Sequence, residues 1–238
     1  MEIIRYASCN DITVKFLDGY GFEKDSTYTN FKNGGIRNPY DKTVLDMGYL
    51  GVGKYLTQDE TGENSREYMC WKHMIERCYV EKHADIHQAY YGICSICDEW
   101  LNFQVFSEWY EQNKYECEGR LHLDKDILIA GNKVYSPSTC LLVLQRLNML
   151  FMNKPNNRGL PNGIIQYKSG YLAKYGGKDI GTYPTVEIAY HEQTKRKKEE
   201  IIRVANEMRE ILPDKVYNAI LAYKFDIKND KNYRPLVA

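Results

Sequence analysis

Residues 120–151, RLHLDKDILIAGNKVYSPSTCLLVLQRLNMLF, restrict more than any other segment what this chain can fold into. The apolar text at 121–129 predicts a strand that carries Asp124-Lys125-Asp126, Gly131-Asn132 predicts a turn, and the closing RLNMLF predicts a helix carrying Asn148. Strand, turn and helix in that order would bring Asp124 and Asn148 together, although they stand 24 positions apart.

A chain of 238 residues can form one large domain or two to three small ones around a real core. No window of about 18 apolar residues is present, and residues 1–20 lack a basic start followed by an apolar stretch. The expectation is a cytoplasmic protein with no membrane segment. Seven cysteines at irregular spacing suit reduced thiols better than a disulfide framework.

Net charge is zero, but its distribution is uneven. Residues 1–54 hold 7 basic and 7 acidic side chains, residues 55–152 hold 9 and 15, and residues 153–238 hold 16 and 10. Binding a polyanion needs local positive potential that displaces counterions from phosphates, and only the last third has it in excess.

The pattern divides the chain into three modules and an α+β fold class. Residues 1–47 read as a β-rich N-terminal module, with alternation through Ile12, Val14 and Phe16 predicting a strand over 3–17 before the turn Asp18-Gly19. Residues 48–152 carry two aromatic-faced helices. Tyr68, Trp71, Met74, Ile75 and Cys78 mark the first, and Trp100, Phe103, Phe106 and Tyr110 mark a second over 98–111. After a linker-like stretch at 153–157, residues 153–238 predict three short strands at 163–167, 171–175 and 179–183, with Ser169-Gly170 and Gly176-Gly177 as turns. Thr185 then caps a helix running to about 209, and a last helix places Val216, Ala219, Ile220 and Tyr223 on one face.

Asp124 and Asn148 offer oxygen donors suited to a hard divalent cation, Mg²⁺ or Mn²⁺, and such an ion can activate water against a phosphodiester. His122 or Asp126 would assist. Lys125 is protonated at its ordinary pKa and serves as a base only when desolvated. The same residues also read as a charged strand end with Asn148 bonded locally.

Four ordered blocks, CWKHMIERCY, ICDEWLNFQVFSEWY, LDKDILIAGNKVYSPSTC and RLNMLF, resemble the HNH-type homing endonuclease family carried by bacteriophages, over roughly residues 48–152. The resemblance implies a ββα middle domain with flanking helices, with Asp124 at the first-strand metal position and Asn148 as the last-helix ligand. Lys125 stands where the family has its catalytic histidine, and Thr139 lies near its middle asparagine. The implied activity is therefore weak or lost metal-dependent nicking of DNA.

Residues 159–205 resemble the Apetala-type DNA-binding module found beside phage nucleases, through Gly163-Ile164, Leu172-Ala173 and Ile180-Gly181-Thr182-Tyr183. By that likeness a three-stranded sheet backed by a helix lies on double-stranded DNA. Its candidate contacts are Tyr167, Lys168, Lys174 and Lys178, which suit phosphate contact and stacking better than strict base reading. The run Lys195-Arg196-Lys197-Lys198 is a further candidate, and it also reads as a solvated helix face.

Cys94 and Cys97 have the spacing of a zinc half-site, but no second pair accompanies them, so zinc is not expected. His83 and His87 stand at i and i+4 without a carboxylate motif. Two other function classes fit the same residues. One is a non-enzymatic anti-defence inhibitor that binds a host immune nuclease or its nucleic-acid cleft, favoured by the acidic 55–152 stretch and Lys125. The other is a DNA-binding regulator using the C-terminal module alone.

Overall fold

In the computed structural model, which describes residues 1–235, the chain has a mixed α+β fold with a β-rich N-terminal segment and a C-terminal three-stranded sheet with helices. Positions 236–238, the end of the expected C-terminal module, lie outside the described residues. Two compact units divide between Trp109 and Tyr110. No helix among the described residues is long and apolar enough to cross a membrane.

The first unit begins with β1 (Glu2–Ser8), β2 (Asp11–Lys15) and β3 (Glu23–Ser26), an antiparallel sheet in that order. The single strand expected over 3–17 is folded back at Cys9-Asn10, where Ser8 pairs with Asp11. Ile12, Val14, Phe16 and Ile36 are buried, with Ile3, Phe22 and Phe31 packed against them beside α1 (Tyr28–Lys32).

In α2 (Arg66–Tyr79), Ser65 caps the N-terminus by accepting from the Tyr68 amide at 3.3 Å, and the stripe Trp71, Met74, Ile75, Cys78 is buried. Each such side chain contributes roughly 1.5–3 kcal/mol of burial. Gly48 permits the approach, since a Cβ there would stand 2.6 Å from both Trp71 and Ile75. After the two-residue strand β4 (Ser95–Ile96), the helix expected over 98–111 is broken at Asn102 into a 3-10 turn, Asp98–Leu101, and α3 (Phe103–Asn113). Tyr49 causes the break: its amide donates to Leu101 and its carbonyl accepts from Phe103, which holds Asn102 extended between them.

In the second unit, β5 (Leu121–Asp124) pairs antiparallel with β7 (Leu141–Leu144), and α4 (Gln145–Phe151) follows directly. The loop between the strands contains β6 (Val134–Tyr135). The strand expected over 121–129 stops at Asp124, because Asp124 Oδ1 accepts from the amides of Asp126 at 2.8 Å and Ile127 at 2.7 Å and turns the chain.

β8 (Ile164–Tyr167), β9 (Gly170–Tyr175) and β10 (Lys178–Tyr183) form an antiparallel sheet with β9 in the centre. The first turn is Lys168-Ser169, with Lys168 at φ +53°. Gly170 belongs to β9 instead, where a Cβ would meet the Tyr183 carbonyl at 2.6 Å. α5 (Val186–Glu207) starts at Thr185, whose hydroxyl accepts from the Ile188 amide, and α6 (Asp214–Ala222) follows the Pro213 break.

Two cores share α5. Ile164 and Ala173 of the sheet bury against Val186 and Ala189 in its first half. Leu141, Val143 and Leu147 of the ββα segment bury against Ile201, Val204 and Ala205 in its second half, with Val216, Ala219 and Ile220 of α6. The stretch read as a linker is tied down by side-chain amides: Asn153 donates to Asp230 at 2.9 Å and accepts from Asn162 at 2.6 Å and Asn232 at 3.0 Å.

Candidate active site and nucleic-acid interface

Because side chains alternate along a strand, His122 and Asp124 lie on the same face of β5, and the register sets them opposite Val143 and Leu141 of β7. α4 crosses near this face and delivers Asn148, whose Nδ2 lies 3.3 Å from His122 Nδ1. With the amide donating, Nδ1 is the acceptor and the neutral ring carries its proton on Nε2. Strand and helix thus bring His122 to Asn148, with Asp124 two residues further along the same face.

Asp124 is strongly desolvated. Burial pushes its carboxyl above the ordinary aspartate range, the Ile127 amide opposes that, and the nearby Asp126 carboxylate adds to it. Burial likewise raises the Tyr223 phenol to about 12, with Asp126 and Asp124 adding to the shift. Sequence reasoning placed Tyr223 only on a helix stripe. Nothing in its spacing pointed to the carboxylates.

Lys125 follows directly on the end of β5. Only 4% of its side chain is exposed, and its ammonium bonds both oxygens of Asp126, at 2.9 and 2.8 Å, and the Asn132 carbonyl at 3.0 Å. Asn132 answers with its own amide, donating to the Lys125 carbonyl at 2.9 Å and the Val134 carbonyl at 2.7 Å. Lys125, Asp126 and Asn132 therefore brace the loop, and Lys125 holds its charge in an ion pair. Thr139 closes the same loop by donating to the Val134 carbonyl at 2.7 Å.

Among the described residues, no group of three or more His, Cys, Asp or Glu side chains is placed to hold a metal ion. The set of His122, Asp124 and Asn148 contains only two such side chains. The donors that remain after the bonds above, one oxygen each on Asp124 and Asn148, are of the oxygen type that hard cations such as Mg²⁺ take. The Cys94 thiol donates to the Ala89 carbonyl at 3.7 Å, and the carboxylate near the histidine pair is Glu76, 3.0 Å from His83 Nε2.

On the C-terminal sheet, Tyr167 and Lys168 are exposed at one end, with the Lys168 ammonium 5.2 Å from the centre of the Tyr167 ring. Lys174 pairs with Asp179 at 3.0 Å, and Lys178 is exposed at the other end. The basic run on α5 splits. Lys195 is exposed and Arg196 pairs with Glu199 at 3.0 Å. Lys197 lies 5.0 Å over the Phe225 ring, and burial lowers its pKa, with Asp230 opposing. Lys198 donates to the carbonyls of Ile220, Leu221 and Tyr223 at 2.7, 2.9 and 2.7 Å, which terminates α6.

Comparison of the chain with protein-family models, curated proteins and solved structures gave no match.

Proposed function

We propose that this chain is a phage-type DNA-binding protein related to HNH homing endonucleases, working in the cytoplasm of a bacterial host, with metal-dependent nicking weak or lost. The observation that carries this reading is the approach of His122 on β5 to Asn148 on α4, with Asp124 on the same strand face. Asp124 and Asn148 would hold Mg²⁺ or Mn²⁺, which when bound supplies positive charge beside a scissile phosphate and acidifies water. His122 would take the proton from that water at Nδ1 in exchange for its bond from Asn148, since in that tautomer Nε2 already carries a proton. Lys125, ion-paired to Asp126, is a brace for the loop in this reading. Double-stranded DNA would be held by the C-terminal sheet and Lys195.

The test is a gel shift on linear duplex together with nicking of supercoiled plasmid in Mg²⁺ or Mn²⁺. Retarded duplex is expected, with slow nicking that His122→Ala abolishes while binding persists. Nicking untouched by that substitution overturns the catalytic assignment, and no retardation of any duplex overturns DNA binding. One observation favours a second reading: the excess of acidic over basic side chains across 55–152, 15 against 9, suits a non-enzymatic inhibitor seated in the nucleic-acid cleft of a host defence nuclease. That reading predicts neither retardation nor nicking.

A further inference from the structure

The open face of the C-terminal sheet has an uncharged centre. Ile164 and Ala173 turn inward to α5, so their strand neighbours Ile165 and Leu172 turn outward. The register pairs Ile165 with Leu172 and Leu172 with Thr182, which makes one continuous row across all three strands. Ile165 is 39% exposed and Thr182 is exposed, and each member of the row ends in methyl groups. No arginine stands anywhere on the three strands.

We infer that this row reads thymine, taking A·T-rich duplex by contact with the C5-methyl groups in the major groove. The inference rests on the proposal that this sheet binds double-stranded DNA. In the major groove the thymine methyl is the apolar feature among the four bases, and apolar side chains distinguish it, whereas guanine is read chiefly by arginine or lysine. The lysines of this face are placed for the walls of the groove and not for its floor. Lys168 lies at one end of the sheet and Lys174, ion-paired with Asp179, at the other, and the 6 residues of β9 run between those ends; Lys178, paired with Tyr175, stands on the Ala173 side of the sheet. Six residues span about 20 Å, more than the roughly 12 Å width of the groove, so the ends of the sheet reach the phosphates, with the exposed Lys168 at one of them, while the row faces the bases. Asp179, the acid on this face, is ion-paired with Lys174.

The experiment measures binding of the full chain to an alternating dA-dT duplex, to the same duplex with deoxyuridine for every thymidine, and to a G·C duplex of equal length. Deoxyuridine removes the methyl and keeps the base pair. The thymidine duplex should bind about fourfold more tightly for each methyl contacted, the factor one buried methylene contributes. Ile165→Ser, at an exposed position that tolerates substitution, should shrink the ratio between the thymidine and deoxyuridine duplexes. Lys168→Ala should weaken both duplexes equally. Duplex binding that is indifferent to the methyl, or a ratio that Ile165→Ser leaves unchanged, overturns the inference and leaves DNA binding standing. Failure to bind any of the three overturns both.

Discussion

Asp124 does two jobs that pull its chemistry in opposite directions. As a turn-former it accepts from the amides of Asp126 and Ile127, and as a half-buried, desolvated carboxylate it is costly to ionise. Its folded pKa is raised, so the stability it contributes is fully present below the unfolded aspartate value and is lost as pH rises through the folded one. Asp124→Asn keeps an oxygen for the two amides and removes the charge. It should melt at or above the wild-type temperature at pH 7, with the advantage vanishing near pH 3. Asp124→Ala leaves two donors without their acceptor and should cost about 1–3 kcal/mol at both pH values. Thermal unfolding of both variants checks this, and an Asp124→Asn that melts well below wild type at pH 7 would mean the carboxylate is a stabilising charge.

At the scale of elements, the helices were legible and the strand ends were not. The stripe Trp71, Met74, Ile75, Cys78 has a period that only a helix can bury on one side, and Thr185 and Pro213 announce their boundaries by local chemistry. The expected strand over 121–129 failed because a side chain, Asp124, outcompetes the ladder for the next amides, and the expected helix over 98–111 broke because Tyr49, distant in sequence, pairs on both sides of Asn102. Strand and helix order pointed to a meeting of Asp124 with Asn148, whereas the residue Asn148 bonds is His122, and the division of labour within Lys195-Arg196-Lys197-Lys198 depends on where α6 ends and was hidden. That division gives a paired prediction. Lys198→Ala should destabilise the fold by about 1–3 kcal/mol through three orphaned carbonyls, with DNA affinity unchanged under folding conditions. Lys195→Ala should leave the melting temperature within a degree or two and weaken DNA binding. Denaturation curves and gel shifts on the same two preparations decide it, and the reverse pattern would place Lys198 on the phosphates.

For the whole molecule the question is how much of its positive charge is available to DNA. Residues 153–238 carry 16 basic against 10 acidic side chains, a balance that suggests a strong electrostatic grip. Much of it is already engaged. Of the seven basic side chains expected at the interface, Lys174 faces Asp179, Arg196 faces Glu199, Lys197 lies over Phe225 and Lys198 caps α6. Lys168, Lys178 and Lys195 remain exposed. Each phosphate neutralised on B-form DNA changes log K by about 0.9 per decade of salt. Three contacts therefore give a slope near −3, and all seven would give about −6. Anisotropy titrations of a duplex between 50 and 200 mM salt measure this slope directly. A value near −3 is expected, because freeing the other four cations would require breaking ion pairs and a helix terminus that the fold itself uses. A slope near −6 would mean that the C-terminal unit rearranges on DNA and releases Lys197 and Lys198 from the core side of α5.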